Sequence, residues 1–277
     1  NFAKYCGTKH AIAVSNNGDG FDMVLQTLKL KKGDEIIAPG LNFKAWHMVL
    51  LRYNCKCVFV DIDPNTLNID IDDLKKKITK KTKLILPVHL TGLSCDMDRI
   101  DKIAKQYSKK NKNKIYVIYD SARATGGNYK KRKIGTGGYC EIFSFHTAKL
   151  MTTLGEGGMV TTNSDYLAKK LYQMRSYGGE DSWGMNYRMS KLQAIFGIEQ
   201  LKKLDYLNNL RIKNSKRRYE YLKDCSYLIL PKDTSYSKNI YYLFPLMLAS
   251  KYKKKDRDKI LKILETKYGI ICSVPKF

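Results

Sequence analysis

Two short segments carry the side chains of this chain best suited to covalent chemistry. The first, Ile115-Tyr116-Val117-Ile118-Tyr119-Asp120, is an apolar run that ends in a carboxylate. The second, Phe143-Ser144-Phe145-His146-Thr147-Ala148-Lys149, places a lysine five residues after a serine and is followed by Leu154-Gly155-Glu156-Gly157-Gly158. An amine among Phe143, Phe145, Leu150 and Met151 loses hydration, which disfavours the ammonium form and leaves a nucleophile able to form a Schiff base with an aldehyde. A carboxylate at the end of a buried strand can keep a pyridine nitrogen protonated, so that the ring accepts electrons. Taken singly, Asp120 also reads as a helix N-cap and Lys149 as one more surface lysine. Taken together, in this order, they predict pyridoxal 5'-phosphate (PLP) as cofactor, with Lys149 and Asp120 as the catalytic pair.

Two further segments fall at strand ends, where ligands collect in open α/β sheets. Ser15-Asn16-Asn17-Gly18-Asp19-Gly20 follows a short apolar run and opens a helical pattern. Backbone N–H groups at Asn17 and Gly18, aided by the helix dipole, suit a phosphate; a plain strand-to-helix turn has the same composition. Phe43, after Pro39-Gly40-Leu41-Asn42, can stack on an aromatic ring or fill core.

The elements that must hold these groups alternate. Apolar, Ile/Val-rich runs predict strands at 11–14, 35–38, 56–60, 83–88, 115–119, 142–144 and 158–162, apolar at successive positions as in a sheet covered on both faces. Helical spacing predicts helices at 21–29, 97–108 and 165–175, the last opened by the capping pair Asn163-Ser164. From Ser190 the stripe Ala194, Ile195, Ile198, Leu201 and Leu204 predicts one long helix continuing through 211–222. Strand-like runs at 227–230 and 241–248 and a helix through 254–268 follow. The reading is α/β with a mainly parallel central sheet, a large domain at 1–205, and a connecting helix with a small α+β lobe at 206–277.

The formal charge of +25 raises nucleic-acid binding, but only ten of the 51 basic residues are Arg and the lysines are dispersed. The runs at Lys75-Lys76-Lys77 and 251–255 read as solvated helix ends. No nucleic-acid partner is expected; the field would instead collect anionic substrates. No apolar run is long enough for a transmembrane helix, and no secretory leader is visible, so no membrane partner and a cytoplasmic setting are expected. Seven cysteines, odd in number and scattered, read as reduced and mostly buried thiols. Cys55-x-Cys57 lacks the spacing of a usual zinc site, and no metal is expected. The chain does not open on Met, and 1–5 read as the end of a helix already begun, so a trimmed chain is expected.

The sequence resembles the DegT/DnrJ/EryC1/StrS family of PLP-dependent sugar aminotransferases. The likeness runs through the stretch from Phe2 to Ala11, Gly33-Asp34-Glu35-Ile36-Ile37, Phe59-Val60-Asp61-Ile62-Asp63-Pro64, Pro87-Val88-His89-Leu90-Thr91-Gly92, the Ser144 to Lys149 segment, Gly155-Glu156-Gly157-Gly158 and Asn186-Tyr187-Arg188-Met189. It covers roughly residues 1–225 and is weaker beyond. The resemblance implies the fold-type I aminotransferase fold. It also implies amino transfer from an amino acid, glutamate by analogy, to a keto-sugar linked to a nucleoside diphosphate, for surface polysaccharide or glycan synthesis, with pyridoxamine phosphate as the intermediate cofactor form. Lys149 would hold the cofactor and shuttle the proton, Asp120 would pair with the ring nitrogen, and Phe43 would lie over the ring. Ser144 and the Asn17-Gly18 turn would bind the phosphate, and Asn186 would reach the phosphate of a neighbouring subunit, which implies a homodimer. Family members that dehydrate deoxysugars usually carry histidine at the lysine position, so Lys149 favours amino transfer; an idle regulatory homologue is the other alternative. The chain departs from the family where Asp120-Ser121-Ala122-Arg123 puts Arg for the usual Gln facing the ring hydroxyl, where Asn17-Gly18 stands for Gly-Thr, and where Ala148 replaces Thr.

Overall fold

The computed structural model describes residues 1–44, 49–179 and 183–274. In chain order the elements are α1 (Phe2–Cys6), β1 (His10–Val14), α2 (Asn17–Thr27), β2 (Glu35–Pro39), β3 (Lys56–Val60), α3 (Ile71–Lys77), β4 (Thr82–Ile85), α4 (Met97–Asn111), β5 (Tyr116–Asp120), β6 (Asn128–Tyr129), β7 (Arg132–Lys133), β8 (Cys140–Ser144), β9 (Gly158–Thr162), α5 (Asp165–Met174), α6 (Lys191–Leu222), β10 (Leu228–Ile229), β11 (Met247–Leu248) and α7 (Lys254–Tyr268). Seven strands form one sheet in the order β1-β9-β8-β5-β4-β2-β3. All run parallel except β9, which pairs antiparallel with β8 and with β1.

The sheet is covered on both faces, as the uninterrupted apolar runs require. On β5, Ile118 faces a core built with Phe21, Val24 and Leu25 of α2 and Leu167 and Leu171 of α5. Its neighbours Val117 and Tyr119 face the other core, with Leu74 of α3 and Ile100 and Ile103 of α4. A third cluster joins Phe2 and Cys6 of α1, Phe143, Phe145, Leu150 and Met151 around β8, Leu204 of α6, and Ile240 from the C-terminal part of the chain.

The seven expected sheet strands all form, with ends shifted by one or a few residues. The strand in the 83–88 run ends at Ile85, near Pro87, which has no N–H for the ladder, and pairing resumes as a parallel bridge between Val88 and Asp120. The helices at 97–108 and 165–175 form, the latter capped by the Ser164 side chain accepting from the Leu167 N–H. The long helix runs 32 residues from a capping box at Ser190 and Gln193. Its expected stripe is only partly covered: Leu204 is buried, whereas Ile195 is 62% exposed. The run at 241–248 yields only the two residues of β11, because Tyr241 sits at positive φ and Pro245 interrupts. The two-residue strands β6 and β7 are not expected from the sequence pattern, and helix α3 is the helix the periodicity missed. Its signals are at its ends: Asp70 caps it, Asp72 and Asp73 occupy its first turn, and Lys75, Lys76 and Lys77 its last. The cysteines carry free thiols, three of them buried and the rest partly or fully exposed, so "mostly buried" overstates their seclusion. Among the described residues no helix is long and apolar enough to cross a membrane.

Candidate functional site

Because β9 alone is reversed, the end of β1, the start of β9 and the ends of β8 and β5 share one edge of the sheet. Gly158 is the junction: it lies opposite both Val14 and Ser144. A Cβ there would come within 2.6–2.8 Å of the Asn16 and Asn17 backbone, so only glycine lets β9 begin against the turn that opens α2. The Asn16 side chain caps α2 by accepting from the Asp19 N–H at 2.9 Å. The Asn17 side chain turns inward, with its amide 3.5 Å from the Ile142 carbonyl and within hydrogen-bonding reach of Asp120.

Asp120 closes β5 and is buried. Its Oδ1 accepts from the Ala122 N–H at 3.0 Å. Burial pushes its pKa up; the Ala122 N–H, the charges of Lys149 and Arg123, and the Asn17 amide pull it back down. Lys149 lies in the loop between β8 and β9, which is pinned by Phe145 N–H to Gly157 O at 2.8 Å and Thr147 N–H to Gly155 O at 2.9 Å. Leu154 and Gly155, both at positive φ, reverse the chain. Phe143, Phe145, Leu150 and Met151 are all buried, as the sequence predicts, and burial lowers the Lys149 pKa. The Arg123 charge lowers it further, while Asp120 and Glu156 act in the opposite sense. Lys149 and Asp120 are therefore within electrostatic reach, each among the charges that act on the other.

The remaining predicted residues divide into two groups. Ser144 is buried at the end of β8, and its Oγ accepts from the His146 N–H at 3.4 Å. Arg123, three residues past Asp120, lies within electrostatic reach of Asp120 and Lys149. Phe43 lies beyond the end of β2, two strands from β5, and is 50% exposed. Asn186 is exposed, forms an isolated antiparallel bridge with Ser176, and accepts from the Arg188 side chain at 2.9 Å. The fold thus brings Asn17, Gly18, Asp120, Arg123, Ser144 and Lys149 to one edge, while Phe43 stays two strands from β5 and Asn186 is exposed.

One residue at the site escaped the sequence reading. The Lys149 Nζ is 5.2 Å from the ring centroid of Tyr242, and the Arg123 Cζ is 5.5 Å from the same centroid. Tyr242 is one of 20 tyrosines, in a stretch read only as a strand, and no local pattern sets it apart.

Behind β5 lies a second buried polar group. Glu141 on β8 pairs in register with Tyr119 and accepts from Ser121 Oγ at 2.6 Å and from the Gly137 N–H at 2.7 Å. Burial pushes its carboxyl up to about 7. His89 stacks on Tyr119, accepts from the Cys95 N–H at 3.0 Å, and is pushed down to about 3 by burial. Among the described residues no cluster of His, Cys, Asp or Glu has an arrangement for a metal ion.

The DegT/DnrJ/EryC1/StrS aminotransferase family profile matches residues 1–274. An uncharacterized protein of Methanocaldococcus jannaschii is 37% identical over 95% of this chain, and GDP-perosamine synthase of Caulobacter vibrioides is 41% identical over 74% of it. The chain spans 71% of the length of the first relative and 55% of the second. The crystal structure of the aminotransferase from Psychrobacter cryohalolentis superposes with a TM-score of 0.90 at 32% identity, covering 98% of this chain and 74% of that one. Family profile, relatives and fold agree: the chain belongs to the DegT/DnrJ/EryC1/StrS aminotransferase family, whose members use PLP.

Proposed function

We infer that this chain is a PLP-dependent aminotransferase that moves an amino group from an amino acid, glutamate in the simplest reading, to a keto-sugar carried on a nucleoside diphosphate. The observation that carries the reading is a buried carboxylate, Asp120, and a desolvated amine, Lys149, within electrostatic reach of each other at the strand ends.

The residues present fit the cofactor. Gly158 keeps the α2 N-terminus open at the strand ends, where the first-turn N–H groups of Asn17 and Gly18 and the Ser144 hydroxyl would take the phosphate. Asp120 would pair with the ring nitrogen, Phe43 would cover the ring, Arg123 would stand beside it, and Lys149 would anchor it. Bound there, PLP supplies an aldehyde that exchanges amino groups and a ring that accepts the electrons left when a proton departs the donor's α-carbon.

The chain's own residues supply the rest. Lys149 Nζ takes the α-proton as general base and returns it as general acid, which requires the uncharged amine that burial and Arg123 favour. Asp120 has to stay ionised to hold a proton on the ring nitrogen, and the Ala122 N–H and the neighbouring cations offset part of its desolvation, which still leaves its pKa raised. The buried side chains of Phe143, Phe145, Leu150 and Met151 flank Lys149 in the chain, and burial is the leading cause that lowers its pKa.

The same proposal includes a homodimer in which Asn186 reaches the partner's site. It is supported by the outward position of Asn186 and by Leu192 and Ile195, exposed on α6 close to where Gln193 bonds the Lys149 loop at the Glu156 carbonyl. It includes a cytoplasmic setting, and a division into a cofactor-binding domain at 1–205 and a connecting helix with a small lobe at 206–277. The test is the first half-reaction: PLP-loaded protein mixed with glutamate is expected to release 2-oxoglutarate in proportion to loaded sites. No keto acid released from any amino donor would contradict the assignment.

A further inference from the structure

The C-terminal part of the chain enters the site at one residue. Tyr242 presents its ring to both Lys149 and Arg123, at 5.2 and 5.5 Å from the ring centroid. Its backbone is fixed by a docked segment. The Ile240 N–H bonds the Gly92 carbonyl at 3.3 Å and the Leu243 N–H bonds the Thr91 carbonyl at 3.1 Å. Asn239, buried, receives the Tyr241 N–H at 2.8 Å, and its own N–H bonds Asp233 at 2.8 Å. Ile240 is buried against the cluster that holds Phe143, Phe145 and Leu150. Gly92 makes the docking possible: at φ +99° it already favours glycine, and a Cβ would stand 2.8 Å from the Tyr242 nitrogen.

We propose that Tyr242 is a positioning residue: its ring, held in place by the docked segment, seats the Arg123 guanidinium and covers the Lys149 amine, so that the C-terminal part of the chain sets the spacing and hydration of the site's two cations. Two like charges brought together repel, and an aromatic ring attracts each of them, which offsets part of that repulsion. The same ring excludes water from the amine. The charged groups acting on Lys149 are Arg123 and Asp120 after and on β5 and Glu156 on its own loop, with Tyr242 the aromatic among them. Removing the ring takes away one of the contacts that seat Arg123 and admits water, and both changes return the amine toward an ordinary lysine. The lost ring–ammonium attraction acts the other way, and a raised midpoint in a ring-free variant is the outcome in which hydration and Arg123 outweigh it. The inference rests on the proposed function only for the statement that Lys149 is the reactive amine.

The test needs no cofactor. Acetic anhydride acetylates only the uncharged amine, so pulse-labelling the cofactor-free full chain from pH 6 to 11, with the Lys149 peptide quantified by mass spectrometry, reads its titration. Y242A is expected to raise the Lys149 midpoint by about one pH unit, equivalent to about tenfold less labelling below it. Y242F, which keeps the ring, is expected to retain the wild-type midpoint. R123Q is expected to raise the midpoint as well, and the double variant to gain less than the sum. Should Y242A fail to fold by thermal melting, Y242L is the substitute, with a smaller shift in the same direction. A midpoint unmoved or lowered in the ring-free variant, or moved equally in Y242F, overturns the proposal. Uptake of PLP, scored separately by absorbance, tests the proposed function: a wild-type chain that takes up none contradicts that reading, while the labelling still decides the role of Tyr242.

Discussion

At the residue scale the site depends on two groups held against their ordinary ionisation. Asp120 is buried yet has to carry charge, and Lys149 is cationic by nature yet has to give up its proton. Replacing Asp120 by Asn keeps the shape and the bond from the Ala122 N–H but removes the charge that would hold a proton on the ring. Asp120→Asn is expected to retain PLP uptake by absorbance while lowering turnover by about 100-fold or more; turnover within threefold of wild type would show that the carboxylate does not serve the ring. Both residues are legible in the sequence because their neighbours are one-sidedly apolar, and that alone predicts desolvation. Tyr242 is not legible, since its place depends on a backbone contact with Gly92 about 150 positions away, for which the sequence has no local signal.

At the element scale the decisive contact is between β9 and the turn that opens α2. Gly158→Ala would drive a methyl into the Asn16 and Asn17 backbone, which cannot yield as a flexible side chain can. It is expected to cost about 1–3 kcal/mol of stability and to weaken PLP binding together with the melting temperature; a fully stable variant with wild-type PLP affinity would separate that turn from the site. The strands that carry the site are readable because they are buried on both faces and so lack polar interruptions. The reversal of β9 is not readable, because a five-residue run such as Gly158–Thr162 has the same composition in either direction. The reversal nevertheless puts Lys149 in a hairpin loop rather than at the mouth of a helical crossover. Helix α3 shows the converse case: at seven residues it is too short for periodicity to register, although its charge distribution marks both ends.

At the scale of the whole molecule, the polar group behind β5 gives the fold a pH signature. The Glu141 carboxyl titrates near 7 in the folded chain against an ordinary value of 4.5, so between those values the native state binds the extra proton and stability falls as pH rises. His89, pushed down to about 3, acts in the opposite sense as pH falls from 6.5. Comparing wild type with Glu141→Gln isolates the first effect: the variant is expected to lose less stability between pH 5 and 8, by at most roughly 3 kcal/mol, as read by denaturant unfolding at each pH. Identical pH profiles would contradict it. This group sits beside the site through Ser121, the residue after Asp120, and its pairing could not be foreseen, because it depends on which strand lies next to β5. The +25 charge, by contrast, is a property of the surface and leaves the site's chemistry to a few buried groups. The central claim is that the amine at 149 is where PLP attaches. Purified wild-type protein incubated with PLP and dialysed is expected to keep an absorbance band in the near-visible, and borohydride treatment is expected to fix PLP on the Lys149 peptide. Lys149→Ala is expected to show neither, whereas covalent PLP retained in that variant would contradict the account.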